Sequence, residues 1–152
     1  MKQDYGEAMS LCSSAAKKRY AQAEYCLGYL YQRGLGATQD SKEAAKWYSE
    51  AAVHGNTKAA LTLAEMHLKG EGVAVDRPEA YYLLFLAYEH GATAAKSQAY
   101  SLQGNMSKDE NKRLDKKLRQ HLLDPKKVYA IVNDPTSPDP AKTRKVLPPV
   151  VR

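Results

Sequence analysis

Residues 33–43 read RGLGATQDSKE, which places two glycines one residue apart before an Asp and the opening turn of a helix. Glycines at a helix N-terminus can hold a phosphate, so the stretch fits either a nucleotide site or a structural turn. A very similar stretch, KGEGVAVDRPE, occupies residues 69–79. A phosphate site is normally unique in a domain, whereas a turn recurs with the architecture. The duplication therefore favours a helix-to-helix turn.

The turn belongs to an internal repeat with a period of 36 residues. Its identical pairs are Ala23/Ala59, Leu27/Leu63, Gly34/Gly70, Gly36/Gly72, Asp40/Asp76, Glu43/Glu79, Ala44/Ala80, Ala51/Ala87, His54/His90 and Gly55/Gly91. A period between roughly 20 and 50 residues is typical of solenoid proteins, in which each unit packs on the next.

Each unit reads as two helices. Gly34 stands where the first helix needs a left-handed residue to end, and Asp40 is an N-cap for the second helix. Glu43 lies three residues later and predicts a reciprocal capping box with Asp40. The same pattern recurs 36 residues on. The aromatic residues that the pattern assigns to the core are Tyr31, Trp47, Tyr48 and Phe85, and one of the Tyr81–Tyr82 pair must turn outward.

The repeat divides the chain into units. A partial unit covers residues 4–19, complete units cover 20–55 and 56–91, and a degenerate terminal unit covers 92–133. We therefore predict an all-α solenoid over residues 1–133. The Pro-rich, basic residues 134–152 lack periodicity and predict a disordered tail.

The terminal unit carries its own helix signals. Ser107 and Glu110 form a capping box, and Leu114, Leu118 and Leu122 mark one face of a highly charged helix. Asp124–Pro125 predicts the start of one further short helix.

The N-terminal unit contains only the second helix of a pair. We expect that the solenoid was cut within a repeat rather than that it starts with a native half-repeat. Residues 1–20 contain no continuous apolar stretch like that of a signal peptide. The compartment stays open: periplasmic or secreted if the chain is truncated, and otherwise cytoplasmic.

The run AEYCLGYLYQRGLGATQDSKEAAKWYSEAAVHG, residues 23–55, closely resembles the Sel-one-like repeat (SLR), a relative of the tetratricopeptide repeat. The matching elements are Leu-Gly, Gly-x-Gly, Asp, Trp-Tyr and Ala-Ala. Residues 59–91 match more loosely, because Ala64 replaces the glycine of Leu-Gly, His67 replaces a tyrosine, and Leu83–Leu84 replaces Trp-Tyr. The resemblance implies a right-handed α-solenoid that acts as a protein-binding adaptor, scaffold or secreted binding factor and carries no chemistry.

In the related tetratricopeptide geometry the first helix of each unit lines a concave groove, where a partner protein or peptide would bind. The corresponding positions are Gln22, Tyr25, Tyr29, Gln32, Arg33, Lys58, Leu61, Glu65, Leu68, Lys69, Ser97 and Ser101. Tyr25 and Tyr29 share one helix face and suit a binding surface, although they could instead pack on neighbouring helices. Arg33 and Lys69 could hold an acidic partner or could simply be solvated cations near helix C-termini.

Enzyme signatures are not found. No GK[ST] follows the glycines, no Rossmann fingerprint follows a strand, and no HExxH or Cys/His cluster indicates zinc. His54 and His90 occupy equivalent helix ends and are interpreted as structural. We predict no catalytic residue, no cofactor and no metal site.

Cys12 and Cys26 lack metal-ligand spacing. We interpret them first as small buried hydrophobic residues. They also flank the turn near Lys18 and Arg19, so a disulfide that would imply an oxidising compartment is the alternative. Some members of the family that the chain resembles join this junction at positions matching Ala16 and Glu24, which are not cysteines here.

A competing function rests on charge. The net charge is +6, and residues 124–152 contribute half of it, with six Lys or Arg against three Asp. This tail could bind nucleic acid or an acidic surface, although no aromatic residue after Asn133 is available to stack on bases. Alternatively its VLPPVV segment could itself be the ligand of another protein. Nucleic acid is the less favoured partner, and oligomeric state is not predicted.

Overall fold

The computed structural model describes residues 4–122, which form seven α-helices and no β-strand. The helices are α1 (Tyr5–Ala16), α2 (Ala21–Arg33), α3 (Ser41–Val53), α4 (Thr57–Lys69), α5 (Arg77–Glu89), α6 (Ala95–Gly104) and α7 (Lys108–Leu122). None of these helices is both long and apolar enough to cross a bilayer. The predicted all-α repeat architecture is confirmed. The helix predicted to start at Asp124 and the 134–152 tail lie outside the described residues.

The helices stack in chain order. Each of α1 to α5 packs against the next helix, most extensively within the pairs α2–α3 and α4–α5, and α3 also touches α5. Alanines without any exposed surface allow this close packing, namely Ala44, Ala51, Ala59, Ala80 and Ala87. The terminal unit departs from this order, because α6 and α7 both pack against α5 rather than mainly against each other.

An acidic N-cap starts the second helix in the first three units, at Asp4, Asp40 and Asp76. The Asp40 carboxylate accepts hydrogen bonds from the backbone N–H groups of Lys42 and Glu43, at 2.9 and 3.1 Å. The predicted reciprocal arm is wrong, however: the Asp40 N–H donates to the Tyr31 carbonyl at 3.0 Å, and the Glu43 carboxylate pairs with Lys46. The loop between α2 and α3 already gives the Asp40 N–H an acceptor, so the Glu43 carboxylate has no free donor to bind there. Within residues 4–122, both arms of a capping box form between Ser107 and Glu110, at 3.2 and 2.8 Å, where no such loop competes.

The second glycine of each pair contacts the preceding unit. Gly72 has a φ of +71°, and a Cβ at this position would lie 2.3 Å from the Ser41 carbonyl oxygen at the start of α3. Gly36, with a φ of +76°, would meet the Tyr5 carbonyl oxygen at 2.4 Å in the same way. Only glycine satisfies both the left-handed backbone and this close approach. The glycine pair is therefore a stacking contact as well as a turn.

The core assignment is correct for Tyr48 and Phe85, which are buried, and Tyr31 is half-buried against the core. Trp47 is half-buried and does not belong to the core cluster. Neighbouring residues on a helix project about 100° apart, so Trp47 cannot share the inward direction of Tyr48. The same geometry buries Tyr81 and leaves Tyr82 half-buried, as predicted for that pair.

Cys12 and Cys26 form a disulfide that joins α1 to α2, with 6.2 Å between their Cα atoms. The interpretation as two separate buried thiols is wrong, and the disulfide alternative holds. The reason is geometric: the turn that includes Arg19, at a φ of +60°, folds α2 back along α1 and brings the two side chains together.

We predict that Gly72→Ala destabilises the protein more than Gly70→Ala does, by at least ~1 kcal/mol, because overpacking commonly costs about 1–3 kcal/mol. Both glycines have a left-handed backbone, so both variants lose stability from strain. At Gly70, however, the nearest atom to a new Cβ is a flexible Val75 methyl at 3.0 Å. Urea denaturation gives the free energy of unfolding of each variant. Equal losses would contradict the stacking role.

We also predict that Cys12→Ser/Cys26→Ser lowers the free energy of unfolding by about 2–4 kcal/mol, as expected for a loop of this length. The sequence separation of the two cysteines is 14. The same drop should appear when the native chain is reduced, and reduction should not affect the double variant. A reduced native chain as stable as the oxidised one would contradict a structural disulfide.

Candidate functional site

The predicted binding residues on α2 divide into exposed and supporting side chains. Tyr29 is 42% exposed, and the Arg33 guanidinium lies over its ring at 5.7 Å from the centroid. Tyr25 is half-buried, with its ring 5.6 Å from that of Tyr48. For Tyr25 the packing alternative therefore holds, whereas the Tyr29 side chain is exposed.

Tyr48 is the buried support of this part of α2. Its hydroxyl donates to the Gln32 side-chain oxygen at 2.8 Å, which holds Gln32 half-buried. Its ring also lies against Gly28, where a Cβ would meet ring atoms at 2.6 Å. Burial raises the pKa of the Tyr48 phenol, so the neutral hydroxyl that makes this hydrogen bond is favoured.

The predicted residues on α4 are mostly exposed. Leu68 is 42% exposed, and Lys58, Glu65 and Lys69 are also exposed, whereas Leu61 is half-buried against the core. Lys69 lies 4.0 Å from Glu65. This pair occupies the positions that Arg33 and Tyr29 occupy one unit earlier, so both helices place a cation at the same end.

Gln22, Ser97 and Ser101, the first and last of the predicted binding residues, are all exposed but make different contacts. Gln22 is exposed, and its side-chain oxygen accepts a hydrogen bond from Asn56 at 3.2 Å, which ties it to the next unit. Ser97 and Ser101 on α6 are exposed but present little contact area. The large exposed side chain of α6 is instead that of Tyr100, which is 42% exposed and was not among the predicted binding residues.

We call Tyr29, Arg33, Glu65, Leu68 and Lys69 the α2–α4 surface. Within residues 4–122, no hydrogen bond, ion pair or ring contact joins its α2 members to its α4 members. Tyr29 and Leu68 are its apolar members, and Arg33, Glu65 and Lys69 are charged. The surface can supply apolar contact flanked by cations.

A second feature was not predicted. An open cleft of about 340 Å³ lies between α3, α4 and α5. Lys42 and Lys46 line it from α3, and His67, which replaces a tyrosine of the repeat pattern, lines it from α4. The His67 Nδ1–H donates to the Ala74 carbonyl at 3.1 Å, which fixes the ring against the loop.

A third unpredicted feature is a group of potential metal ligands. Glu24, Glu50 and His54 each place one donor atom within 4.8 Å of the others. Glu50 and His54 are visible in the sequence as a pair four residues apart on one helix. Glu24 comes from another helix, so the group becomes apparent only when the pairing of α2 with α3 is known.

The fold defines a helical-repeat protein of stacked helix pairs. The model of the Sel1 repeat family matches residues 1–20, 20–56 and 57–91. The chain therefore belongs to the Sel1 repeat family, which confirms the resemblance noted from the sequence.

Solved structures support the same assignment. A Sel1 repeat protein from Oxalobacter formigenes is 28% identical, with a TM-score of 0.62 over 65% of this chain and 41% of that one. The protective antigen c5321 of uropathogenic Escherichia coli, described as having an SLR fold, is 38% identical with a TM-score of 0.57. That match covers 61% of this chain and 20% of the antigen.

Curated relatives match over shorter segments. The chitin synthase regulator SKT5 of Malassezia restricta is 39% identical over 54 residues, or 36% of this chain and 4% of the regulator. The ERAD-associated E3 ubiquitin-protein ligase component HRD3 of Candida glabrata is 41% identical over 51 residues, or 34% of this chain and 6% of that protein. The matched segments are thus a small part of these longer proteins.

We predict that Tyr48→Phe destabilises the protein by about 1 kcal/mol at neutral pH, through loss of the hydrogen bond to Gln32. The phenol pKa is raised on folding, so its contribution to stability is complete below a pH of about 10, the ordinary tyrosine pKa, and is lost above it. Denaturant titrations should therefore show a flatter decline above pH 10 in the variant. Tyr81→Phe should also flatten the decline of stability above pH 10, since burial raises the pKa of Tyr81 to about 12. Parallel curves of unfolding free energy against pH for variant and wild type would contradict this linkage.

Proposed function

We propose that this chain is a protein-interaction adaptor that binds a segment of a partner protein on the α2–α4 surface and carries out no catalytic step. The observation that carries the proposal is the exposure of Tyr29 and Leu68, each 42%, on the first helices of two consecutive repeats. Large apolar side chains on a helical surface are suited to be contact residues, because they bury much area when a partner covers them.

The charges beside these residues favour a partner with carboxylates. Arg33 and Lys69 lie at equivalent ends of α2 and α4, and Lys58 adds a third exposed cation. Glu65 is the one anion among the predicted binding residues. A matching segment would carry apolar side chains for Tyr29 and Leu68, with Asp or Glu placed toward Arg33 and Lys69.

The relatives support an adaptor in a general way. Their names describe one as a regulator of chitin synthase and another as a component of a ubiquitin-protein ligase. Neither name identifies the matched repeats as the catalytic part.

The test compares affinity capture by three forms of the full chain, with bound proteins quantified by mass spectrometry. The surface variant is Tyr29→Ala/Leu68→Ala. The matched control is Leu11→Ala/Val53→Ala, which removes two apolar side chains, 63% and 69% exposed, from α1 and α3. Far-UV circular dichroism confirms that each form is folded.

We predict that the surface variant loses at least ~10-fold of its capture of a partner, because contact residues at the centre of an interface commonly contribute 2 kcal/mol or more. The control should retain the partner.

Reduced capture by Arg33→Glu/Lys69→Glu would support a partner with carboxylates. Full retention of the partner by the surface variant would contradict the proposal and favour the cleft between α3, α4 and α5 as the binding site. Loss on deletion of residues 134–152 would instead support the tail as the binding element.

A further inference from the structure

We infer that Glu24, Glu50 and His54 form a binding site for one divalent transition-metal ion, with Zn²⁺ as the best match. Glu24 lies on α2, and the other two residues lie at the C-terminal end of α3. The donor atoms of the three side chains are all within 4.8 Å of one another. An ion at this point would connect the two helices of the first complete repeat.

Glu24 is a buried carboxylate at the centre of the group. It is the one charged residue among residues 4–122 that is buried, with 2% of its surface exposed. A carboxylate in such a place is costly unless a cation compensates it. Its partner is the imidazole of His54, whose Nδ1–H donates to the Glu24 Oε2 at 2.7 Å. A divalent cation bound at the same carboxylate would supply two positive charges at this buried position.

The carboxylate of Glu50 lies close to that of Glu24. Within residues 4–122 this exposed side chain forms no hydrogen bond or ion pair, yet its oxygen lies in the group with Glu24 and His54. Two carboxylates close together repel each other unless a proton or a metal ion lies between them. One divalent cation balances the negative charges of two carboxylates.

The positions of the three donors suit one coordinated ion. Residues four apart on a helix project from the same face, so Glu50 and His54 can bind one ion together. Zinc binds carboxylate oxygen and imidazole nitrogen at about 2.0–2.2 Å, which places tetrahedral donors roughly 3.4 Å apart. The ion replaces the Nδ1 proton that joins His54 to Glu24, and the neutral imidazole then carries its proton on Nε2. The Glu24–His54 pair opens slightly from its 2.7 Å hydrogen-bond distance to reach this spacing. Glu50 closes in by changing the rotamer of its exposed side chain.

The donor set also selects the class of metal. Ca²⁺ and Mg²⁺ prefer six or more oxygen ligands, whereas three donors that include an imidazole suit Zn²⁺ or Co²⁺. Three protein ligands leave a fourth position for water or for a group from a partner. No metal site was predicted from the sequence, because the known zinc motifs place their ligands close together in the chain and this donor set combines two helices.

The next repeat supplies an internal comparison. The positions 36 residues on are Ala60, Leu86 and His90, so only the histidine recurs. His90 is exposed. It therefore serves as a control for nonspecific binding of metal by a surface imidazole at the same point of the repeat.

The experiment titrates the full, tag-free chain with ZnCl₂ by isothermal calorimetry and with CoCl₂ by visible absorption. Thiol reductants are omitted, because free Cys12 and Cys26 would add sulfur ligands. The variants are His54→Gln, Glu50→Gln and the control His90→Gln. Glu50 is exposed, so its variant tests the site even if substitutions nearer the core affect folding.

We expect one Zn²⁺ per wild-type chain and a rise in Tm on the order of 5 °C at saturating metal, reversed by EDTA. His54→Gln and Glu50→Gln should each weaken binding by at least ~100-fold, since loss of even an indirect partner of a metal costs about 10–100-fold. His90→Gln should bind as the wild type does. Absence of binding at millimolar Zn²⁺, or equal binding by wild type and His54→Gln, would overturn the inference and leave a hydrogen-bonded Glu24–His54 pair only. The result is independent of whether a partner binds the α2–α4 surface.

Discussion

The stacking of the repeats depends on a backbone-to-backbone approach at the second glycine of each inter-helix loop. At Gly36 and at Gly72 the loop lies so close to the first turn of the preceding second helix that no Cβ fits between them. The contact repeats with the same geometry in both loops, so it fixes how far each unit advances along the stack. The buried alanines of the neighbouring helices then follow, because helices held this closely accept only small side chains at their crossing points. A few glycines thus determine the spacing to which the whole core is matched.

Much of this organisation could be predicted from the sequence because the signals are local. Helix ends, N-caps and the period of 36 residues depend on neighbouring residues, and the structure confirms them. Burial was harder to predict because it depends on what faces a residue. Trp47 and Tyr48 are equally typical of the repeat, yet only Tyr48 points inward. The failed reciprocal cap at Glu43 has a similar cause: a carbonyl of the preceding helix already accepts the Asp40 N–H.

Paired changes in side-chain size could not be predicted from the repeat pattern when each position was considered alone. The second complete unit departs from the family pattern at Ala64 and at Leu84. These two positions correspond to Gly28 and Tyr48, which pack directly on each other in the first unit. Ala64 is larger than Gly28 and Leu84 is smaller than Tyr48, so a larger residue on one helix accompanies a smaller one on the other. Ala64 and Leu84 are both buried. The exposure of the candidate binding residues was equally hard to predict. Tyr25 and Tyr29 share one helix face, but Tyr25 packs against the ring of Tyr48 whereas Tyr29 is exposed.

The disulfide between α1 and α2 has a mechanical consequence. In a stack of helices each element is held mainly by its neighbours, so a load applied at one end can peel helices away one after another. A covalent bond between Cys12 and Cys26 prevents α1 from separating from α2 in this way. Tension that enters through α1 therefore passes directly to α2, which is packed against α3. The first noncovalent junction to carry the load is then inside the first complete repeat rather than at its edge.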